Sequence, residues 1–271
     1  MRFFTLIVCL PAILTAQDPR EIVRRSVEID RKNLEISRSY TYLERQEVRE
    51  LDGSGKVKNS EVQTSDVTLL EGSPYRRLVA RNDQPLSPKE QSKEEDKLRK
   101  SIEQRHHETE EERQRRTADW ERRRERQREP LKELPDAFDF HLAGEEALAS
   151  GEVYVIDATP KPGYKPTLPS AVYFPKVRAR FWIDKTDYHW AKIDVETLDT
   201  ISFGGFLLRV AKGTRLTIEQ AHVNQEVWLL KSVTLRASAR VALIKSVHEE
   251  LIITFSDYKK FQVDSRVVSA P

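Results

Sequence analysis

The chain contains a single cysteine, Cys9, among its 271 residues, and Cys9 lies within an apolar run near the N-terminus. A lone cysteine cannot form a disulfide within the chain, and it does not favour a soft-metal site. A chain of this length can bury an apolar core without such cross-links. We therefore expect a fold that is stabilised without disulfides.

The common catalytic and cofactor-binding motifs are also absent from the sequence. It contains no GxSxG nucleophile motif, no glycine-rich phosphate loop and no GxGxxG dinucleotide motif. None of the six histidines has the spacing of a zinc-binding helix, and HHETE at 106–110 is not HExxH. Carboxylates are plentiful, but sequence alone cannot bring two of them together as an acid and a base. We predict that the protein is not an enzyme and has no cofactor or metal site.

Neither sign of charge is in excess, since 46 Lys and Arg residues face 44 Asp and Glu residues. This balance gives no electrostatic case for binding nucleic acid, so we predict no nucleic-acid partner.

The longest apolar run is at the N-terminus, where Met1-Arg2 is followed by FFTLIVCLPAILTA. About 14 apolar-rich residues are too few to span a bilayer comfortably, which takes about 20. One positive charge, a short apolar run and the small residue Ala16 predict a secretory signal peptide over 1–16. A signal anchor is the alternative. Cleavage after Ala16 would leave a single domain, 17–271, that is soluble in the periplasm.

The first part of the mature chain predicts a helix followed by strands. Asp18-Pro19-Arg20-Glu21 has a capping residue, a proline at the first helical position and a following Glu, so a helix begins there and ends near Ser37. Asp52-Gly53-Ser54-Gly55 is a hairpin signal between strands at 40–51 and 56–70, and a third strand is expected at 74–81.

The segment from about 88 to 133 differs from the rest of the chain in composition. Between Lys89 and Glu133 there are 15 basic and 14 acidic residues, so 29 of 45 positions are charged. Acidic-to-basic pairs four residues apart, such as Glu95/Arg99 and Glu111/Arg115, favour a helix. Apolar anchors are few. The segment is either a solvated helical insertion that touches the body only at its ends or a lid or partner-binding arm.

The C-terminal half predicts one antiparallel strand after another. Phe138, Phe140 and Leu142 alternate with other residues before a turn at Ala149-Ser150-Gly151, and Val153 and Val155 alternate after it. Further strands are expected roughly at 172–184, 188–197, 200–211, 214–223, 226–240 and 247–262. With the N-terminal strands this gives about eleven strands, two main helical segments and no alternation of strand and helix. The predicted class is therefore α+β with an antiparallel sheet, covered by helices.

The clearest hairpin spans 178–196, with its turn at Asp184-Lys185-Thr186-Asp187. Alternation places Phe181 and Ile183 on one face and predicts that Ala191 and Ile193 share it. Aromatic residues lie on both faces of these strands, so both faces are covered by core, or one face takes an apolar ligand. For the ligand alternative, the candidate binding residues are Trp190, Ala191, Ile193, Phe203 and Trp228.

Motifs along the whole mature chain carry a family resemblance. They are DPREIVRRSVE, YTYLERQEVRELDGSGKVK, EGSPYRRLVARNDQPLSPKE, IDATPKPGYKP, FWIDKTDYHWAKIDVE and FSDYKKFQVDSRV. The chain resembles exported, largely uncharacterised bacterial proteins related to the outer-membrane lipoprotein-sorting (Lol-type) carriers. The resemblance implies a curved antiparallel half-barrel that is closed by helices and holds acyl chains in between. It transfers no ligand residue.

Two functions remain open at this point. The first is a non-catalytic periplasmic carrier or binding protein for lipid, acyl chains or lipoproteins. The second is a periplasmic sensor or scaffold that uses the same fold for protein–protein interaction, with an envelope protein bound through the charged helix.

Overall fold

The computed structural model describes residues 17–203, 208–241 and 245–261. The predicted signal peptide lies outside the described residues, as does Gly204-Gly205. The helices are α1 Pro19–Ser37, α2 Pro88–His106, α3 Glu110–Arg128 and α4 Leu134–Ala137, with 3-10 turns at Glu129–Glu133, Pro169–Ala171 and Phe174–Lys176.

The strands, in chain order, are β1 Tyr40–Leu51, β2 Val57–Leu70, β3 Ser73–Arg81, β4 Gln84–Pro85, β5 Phe138–Leu148, β6 Gly151–Pro160, β7 Val177–Asp184, β8 Trp190–Thr197, β9 Ile201–Phe203, β10 Leu208–Val210, β11 Arg215–Val223, β12 Val227–Val241 and β13 Lys245–Lys260. All pairings are antiparallel, in the order β4-β3-β2-β1-β13-β12-β11-β8-β7-β6-β5. The predicted α+β class is confirmed. The sheet is open, with β4 and β5 as its edge strands.

The structure has more strands than the predicted eleven for two reasons. The short strand β4 pairs with β3 after a turn at Asn82-Asp83, where both residues have positive φ. The segment predicted as one strand at 200–211 is two strands, β9 and β10, which pair antiparallel with each other. That prediction was wrong because apolar and polar residues alternate in both halves of the segment. Such alternation does not show where the chain reverses direction.

The packed half of the sheet consists of β5–β8, and α1 and α4 cover it. Ile22 and Val23 of α1 pack with Ile156, Phe181 and Ile183 in a continuous core. Asp18 caps α1 through a hydrogen bond from the backbone N–H of Arg20 to its side chain, as the sequence predicts. This core is the most deeply buried part of the molecule, since Val23, Ile156 and Ile183 are fully inaccessible to solvent.

The 178–196 hairpin turns where predicted, but its return strand has a β-bulge. Ile183 pairs with Trp190, and Trp182 pairs with Lys192, so Ala191 is the extra residue. Phe181 and Ile183 therefore share their face with Trp190 and Ile193, whereas Ala191 packs against Trp182 in a different cluster. The predicted placement of Ala191 was wrong because a single inserted residue shifts the alternation by one.

The open half of the sheet consists of β1–β3 and β11–β13, and the charged helices α2 and α3 lie over it. Neither helix has a buried residue. The apolar face of the packed half continues into this half through pairs of residues on neighbouring strands, because the members of such a pair share a face. Ile193 pairs with Ile218, Ile218 with Val233, and Val233 with Ile253. Beyond Ile193 these residues are only half-buried, so the apolar face continues without a close-packed cover.

The charged segment contacts the body in its middle and not only at its ends. Arg105 of α2 donates hydrogen bonds to the carbonyl oxygens of Leu70 and Ser73, at 2.6 and 3.1 Å. Arg116 of α3 donates to the Ser73 hydroxyl and the Glu71 carbonyl, at 2.6 and 2.9 Å. The interpretation of an insertion held only at its ends was wrong because arginine side chains, rather than apolar anchors, make the contacts.

Candidate functional site

A cavity of about 530 Å³ lies between the open half of the sheet and the helices α1 and α3. Sites for small molecules commonly have volumes of about 300–1,000 Å³. Its lining residues are Asp30, Asn33, Ser37, Arg38, Tyr40, Tyr42, Val67, Thr68, Leu69, Pro74, Trp120, Arg124, Gln127, Arg128, Leu131, Trp190, Ile193, Ile218, Gln220, Trp228, Leu229, Leu230, Phe255 and Tyr258.

The sheet forms an apolar and aromatic floor for this cavity. Ile193 and Ile218 are cross-strand neighbours, and Phe255 lies two residues after Ile253 on the same face of β13. The Tyr42 ring packs against both Phe255 and Tyr258, with 5.6 Å between ring centroids in each pair. Burial raises the pKa of the Tyr42 and Tyr258 hydroxyls, so both rings present a neutral surface at physiological pH.

Two buried hydrogen-bonded contacts fix α1 as one wall of the cavity. The Asn33 side chain donates to the Trp228 carbonyl at 2.7 Å and accepts from the Trp228 N–H at 2.9 Å. The Trp190 indole donates from Nε1 to the Ser26 hydroxyl at 2.7 Å. All four residues are buried. Movement of α1 would leave their polar groups without hydrogen-bond partners, at a substantial cost in free energy. These contacts tie α1 to β8 and β12.

The opposite wall is formed by α3 and the turn that follows it, through Trp120, Arg124, Gln127, Arg128 and Leu131. Arg124 lies over the Trp120 ring, 4.9 Å from its centroid, and donates to the Ser37 hydroxyl at 3.1 Å. Arg128 donates to the Asp30 carboxylate at 2.9 Å. The contacts between α3 and α1 are thus polar, in contrast to the apolar floor.

Three of the five predicted ligand-binding residues line the cavity. Trp190 and Ile193 line the cavity, next to each other in space with the core behind them. Trp228 also lines it, but its ring stacks with both His189 and His222 and packs with Ala191 in a separate cluster. Ala191 does not line the cavity, and the side chain of Phe203 lies outside the described residues. Ligand contact at these positions stays a prediction.

Sequence analysis did not identify most of the lining residues as site residues. Tyr42, Phe255 and Tyr258 belong to strands that are distant along the chain, and only the pairing of β1 with β13 joins them. Trp120 stands out in the sequence as an apolar residue in a charged helix, and this was a usable signal. Nothing in the spacing of Arg124 sets it apart from its neighbours.

A second depression of about 560 Å³ lies on the uncovered face of the sheet. Ion pairs between neighbouring strands lie there, including Arg180–Asp157 at 2.5 Å and Arg178–Glu196 at 2.9 Å. Its exposed and mutually neutralised charges are typical of a solvated sheet surface. Within residues 17–203, 208–241 and 245–261, no helix has both the length and the apolar character needed to cross a membrane.

No protein-family model matches the chain, and no curated protein matches it. Several solved structures are similar. A proposed outer membrane lipoprotein-sorting domain from Vibrio parahaemolyticus is 9% identical, with a TM-score of 0.36, and the match covers 90% of this chain and 95% of that one. A LolA-superfamily protein from Nitrosomonas europaea is 11% identical, with a TM-score of 0.31 and coverage of 92% and 96%.

A DUF1329 family protein from Desulfovibrio piger is 12% identical, with a TM-score of 0.29 and coverage of 92% and 96%. Similarity at this level does not transfer a ligand, so function has to be inferred from the cavity itself.

Proposed function

We propose that this protein is a non-catalytic carrier or binding protein for lipid, which holds an acyl chain between the open half of the sheet and α3. The observation that carries the proposal is the cavity of about 530 Å³ with an apolar, aromatic floor. Burial of apolar surface contributes about 25 cal/mol per Å², before the costs of association, so a few hundred Å² of chain would suffice for useful affinity.

The polar wall formed by α3 fits the role of a lid. Its contacts with the body are arginine hydrogen bonds and ion pairs, and pairs of this kind near the surface contribute about 0–1 kcal/mol each. Because α2 and α3 contain no buried residue, they can separate from the sheet without disrupting the packed core. We therefore favour a lid over a partner-binding arm for the charged segment.

The first test is the lipid content of the protein purified under native conditions, measured by mass spectrometry of an organic extract and followed by titration with a fluorescent fatty acid. We expect bound lipid or saturable fluorescence. Absence of both would contradict the carrier function and leave the sensor or scaffold function, in which an envelope protein is the partner.

A matched pair of variants tests whether binding occurs in this cavity. Ile218→Trp adds bulk to the cavity floor, and we expect it to weaken fatty-acid binding by about tenfold or more, because the indole occupies space that the acyl chain would fill. Arg215→Trp makes the same kind of change on the other face of β11, at an exposed position, and should leave binding unchanged. Equal binding by the two variants would place the ligand elsewhere.

The proposed place of action is the periplasm, after export directed by residues 1–16. The support is the short apolar run that ends at Ala16, directly before the capped helix α1. N-terminal sequencing of protein secreted by a Gram-negative host should give Gln17 as the first residue. An intact Met1 on membrane-bound material would contradict export by cleavage.

A further inference from the structure

Three arginines line one end of the cavity, where the C-terminal end of α1 meets α3. They are Arg38, Arg124 and Arg128, and the only acidic side chain among the described lining residues is Asp30. A site for a fully neutral, apolar ligand has no need of three arginines. A cation that faces an apolar space loses hydration without gaining a compensating partner.

Two of these arginines are neutralised by carboxylates. Arg128 pairs with Asp30 at 2.9 Å, and the Asp30 side chain is only 8% exposed. Arg38 pairs with Glu35 at 2.8 Å and with Glu121 at 3.4 Å. The Arg128–Asp30 and Arg38–Glu121 pairs hold α1 and α3 together, which is a sufficient structural role for both arginines.

Arg124 differs from the other two. Among the described residues it has no carboxylate within ion-pair distance, and its contacts are the Ser37 hydroxyl at 3.1 Å and the Trp120 ring at 4.9 Å. Burial, together with the neighbouring Arg128 and Arg38, lowers the pKa of the Arg124 guanidinium to about 10, so it remains charged at neutral pH. A guanidinium has five N–H donors in a planar fork, and the hydroxyl accepts from only one of its nitrogens.

We infer that Arg124 binds the anionic head of an amphiphile whose acyl chain occupies the cavity floor. The floor supplies apolar surface through Ile193, Ile218 and Phe255, and the arginine end supplies a charge that has no partner of its own. A carboxylate or phosphate oxygen would accept from the free Arg124 donors as a charge-assisted pair. The inference rests on the proposed function, because it names the class of lipid that the cavity takes.

The test is displacement of the neutral probe N-phenyl-1-naphthylamine from the purified, delipidated protein at about pH 8, where a carboxyl group is ionised. The competitors share one hydrocarbon chain and differ in the head: hexadecanoate, hexadecyl phosphate and hexadecanol. We expect at least one of the two anions to bind about tenfold more tightly than hexadecanol. The comparison of the two anions distinguishes a fatty acid from a phosphate-headed lipid.

Arg124→Gln should abolish this preference, while hexadecanol and the neutral probe bind as in the wild type. Arg124→Lys retains the charge and should keep part of the preference. Arg126→Gln, an exposed position on the same helix, is the matched control and should change nothing. Retained binding of the neutral probe, with an unchanged melting temperature, establishes that a variant is folded.

The outcomes separate the two proposals. If all three competitors bind equally to the wild type, or if Arg124→Gln leaves the anion preference intact, the inference is overturned and the proposed function stands. If neither the probe nor any competitor binds the wild type, the proposed function fails and the inference fails with it.

Discussion

The two halves of the sheet have the same kind of strands but different covers. In the packed half, α1 and α4 place apolar side chains against β5–β8, and the core excludes solvent. In the open half, the same apolar rows continue through Ile218, Val233 and Ile253, but the helices above them are charged and contribute no buried residue. Stability is therefore concentrated in one half, and the space for a ligand lies in the other.

The comparison predicts that the same change has very different effects in the two halves. Ile183→Asp places a charge in a fully buried site, and we expect a loss of about 4 kcal/mol in the free energy of unfolding. Ile253→Asp, at a half-buried site in the open half, should cost about 1–2 kcal/mol. Urea denaturation measures both.

The control for this pair is Lys185→Ala in the β7–β8 turn. It removes an ion pair with Glu145 near the surface and a cation–π contact with Tyr154, and should cost less than about 1 kcal/mol. Equal losses for Ile183→Asp and Ile253→Asp would show that the two halves are equally well packed and would remove the basis of the comparison.

The junction between the halves depends on Asn33. Asn33→Ala leaves the buried N–H and carbonyl of Trp228 without a partner, and we expect a loss of about 2–3 kcal/mol. Lys32→Ala, at the adjacent exposed position, should be nearly neutral. Thermal unfolding compares the two. A silent Asn33→Ala would mean that α1 does not need this contact to hold its place on β12.

The carboxylate of Asp187 links the β7–β8 turn to Trp228 and gives a pH-dependent contribution. Burial alone would raise the pKa of this carboxylate. Hydrogen bonds from His189 and from the Trp228 indole nevertheless lower the pKa below its ordinary value, and the Trp228 Nε1 lies 2.7 Å from the carboxylate oxygen. A lowered pKa in the folded state means that the stabilisation is present above the unfolded-state pKa of about 3.9 and is lost as the pH falls below it.

Asp187→Asn should therefore lower stability by about 1 kcal/mol at neutral pH, a modest value because the carboxylate is partly exposed to solvent. The difference from the wild type should shrink as the pH falls below about 4. Unfolding free energies measured from neutral to acidic pH test this. A difference that stays constant with pH would exclude the carboxylate as its source.

The smallest effect on global stability is expected in the lid. Arg116→Ala removes hydrogen bonds to Ser73 and Glu71 and an ion pair with Glu108. It should cost about 1 kcal/mol or less in global stability, because these contacts hold the lid rather than the packed core. Amide hydrogen exchange in α3 should nevertheless become severalfold faster, with β5–β8 unchanged. The control is Arg115→Ala. The Arg115 side chain is exposed, and among the described residues its ion pair is with Glu111. Faster exchange throughout the sheet would show that the lid is part of the core.

Local signals predicted much of the packed half. The capping residues around Asp18, the alternation in β7 and the turn at Asp184 are short-range features, and the structure has each of them where expected. The bulge at Ala191 was missed because both placements of Ala191 are compatible with an alternating pattern. Only the pairing of Ile183 with Trp190 decides between them.

The site was less predictable, because its parts come from distant segments of the chain. Trp190 and Ile193 were proposed from the aromatic content of one hairpin, and they do line the cavity. Tyr42 and Tyr258 meet only through the pairing of β1 with β13, whose partners are 199 to 220 residues apart in sequence. Whether Arg124 has a carboxylate partner depends on which carboxylates pair with the neighbouring Arg38 and Arg128. Spacing along a helix does not show this pairing.

The sequence by itself determined the class of the fold, because strand alternation, helix caps and turn residues act over a few positions and do not depend on the rest of the chain. It also determined that the segment from 88 to 133 is helical and highly charged. Tertiary structure alone decided that these charged helices cover an apolar sheet face, that arginines rather than apolar anchors hold them there, and that a cavity remains beneath. The physical reason is that long arginine side chains can reach carbonyl and hydroxyl groups on any nearby strand. Their partners are therefore set by the path of the whole chain rather than by the pattern around each residue.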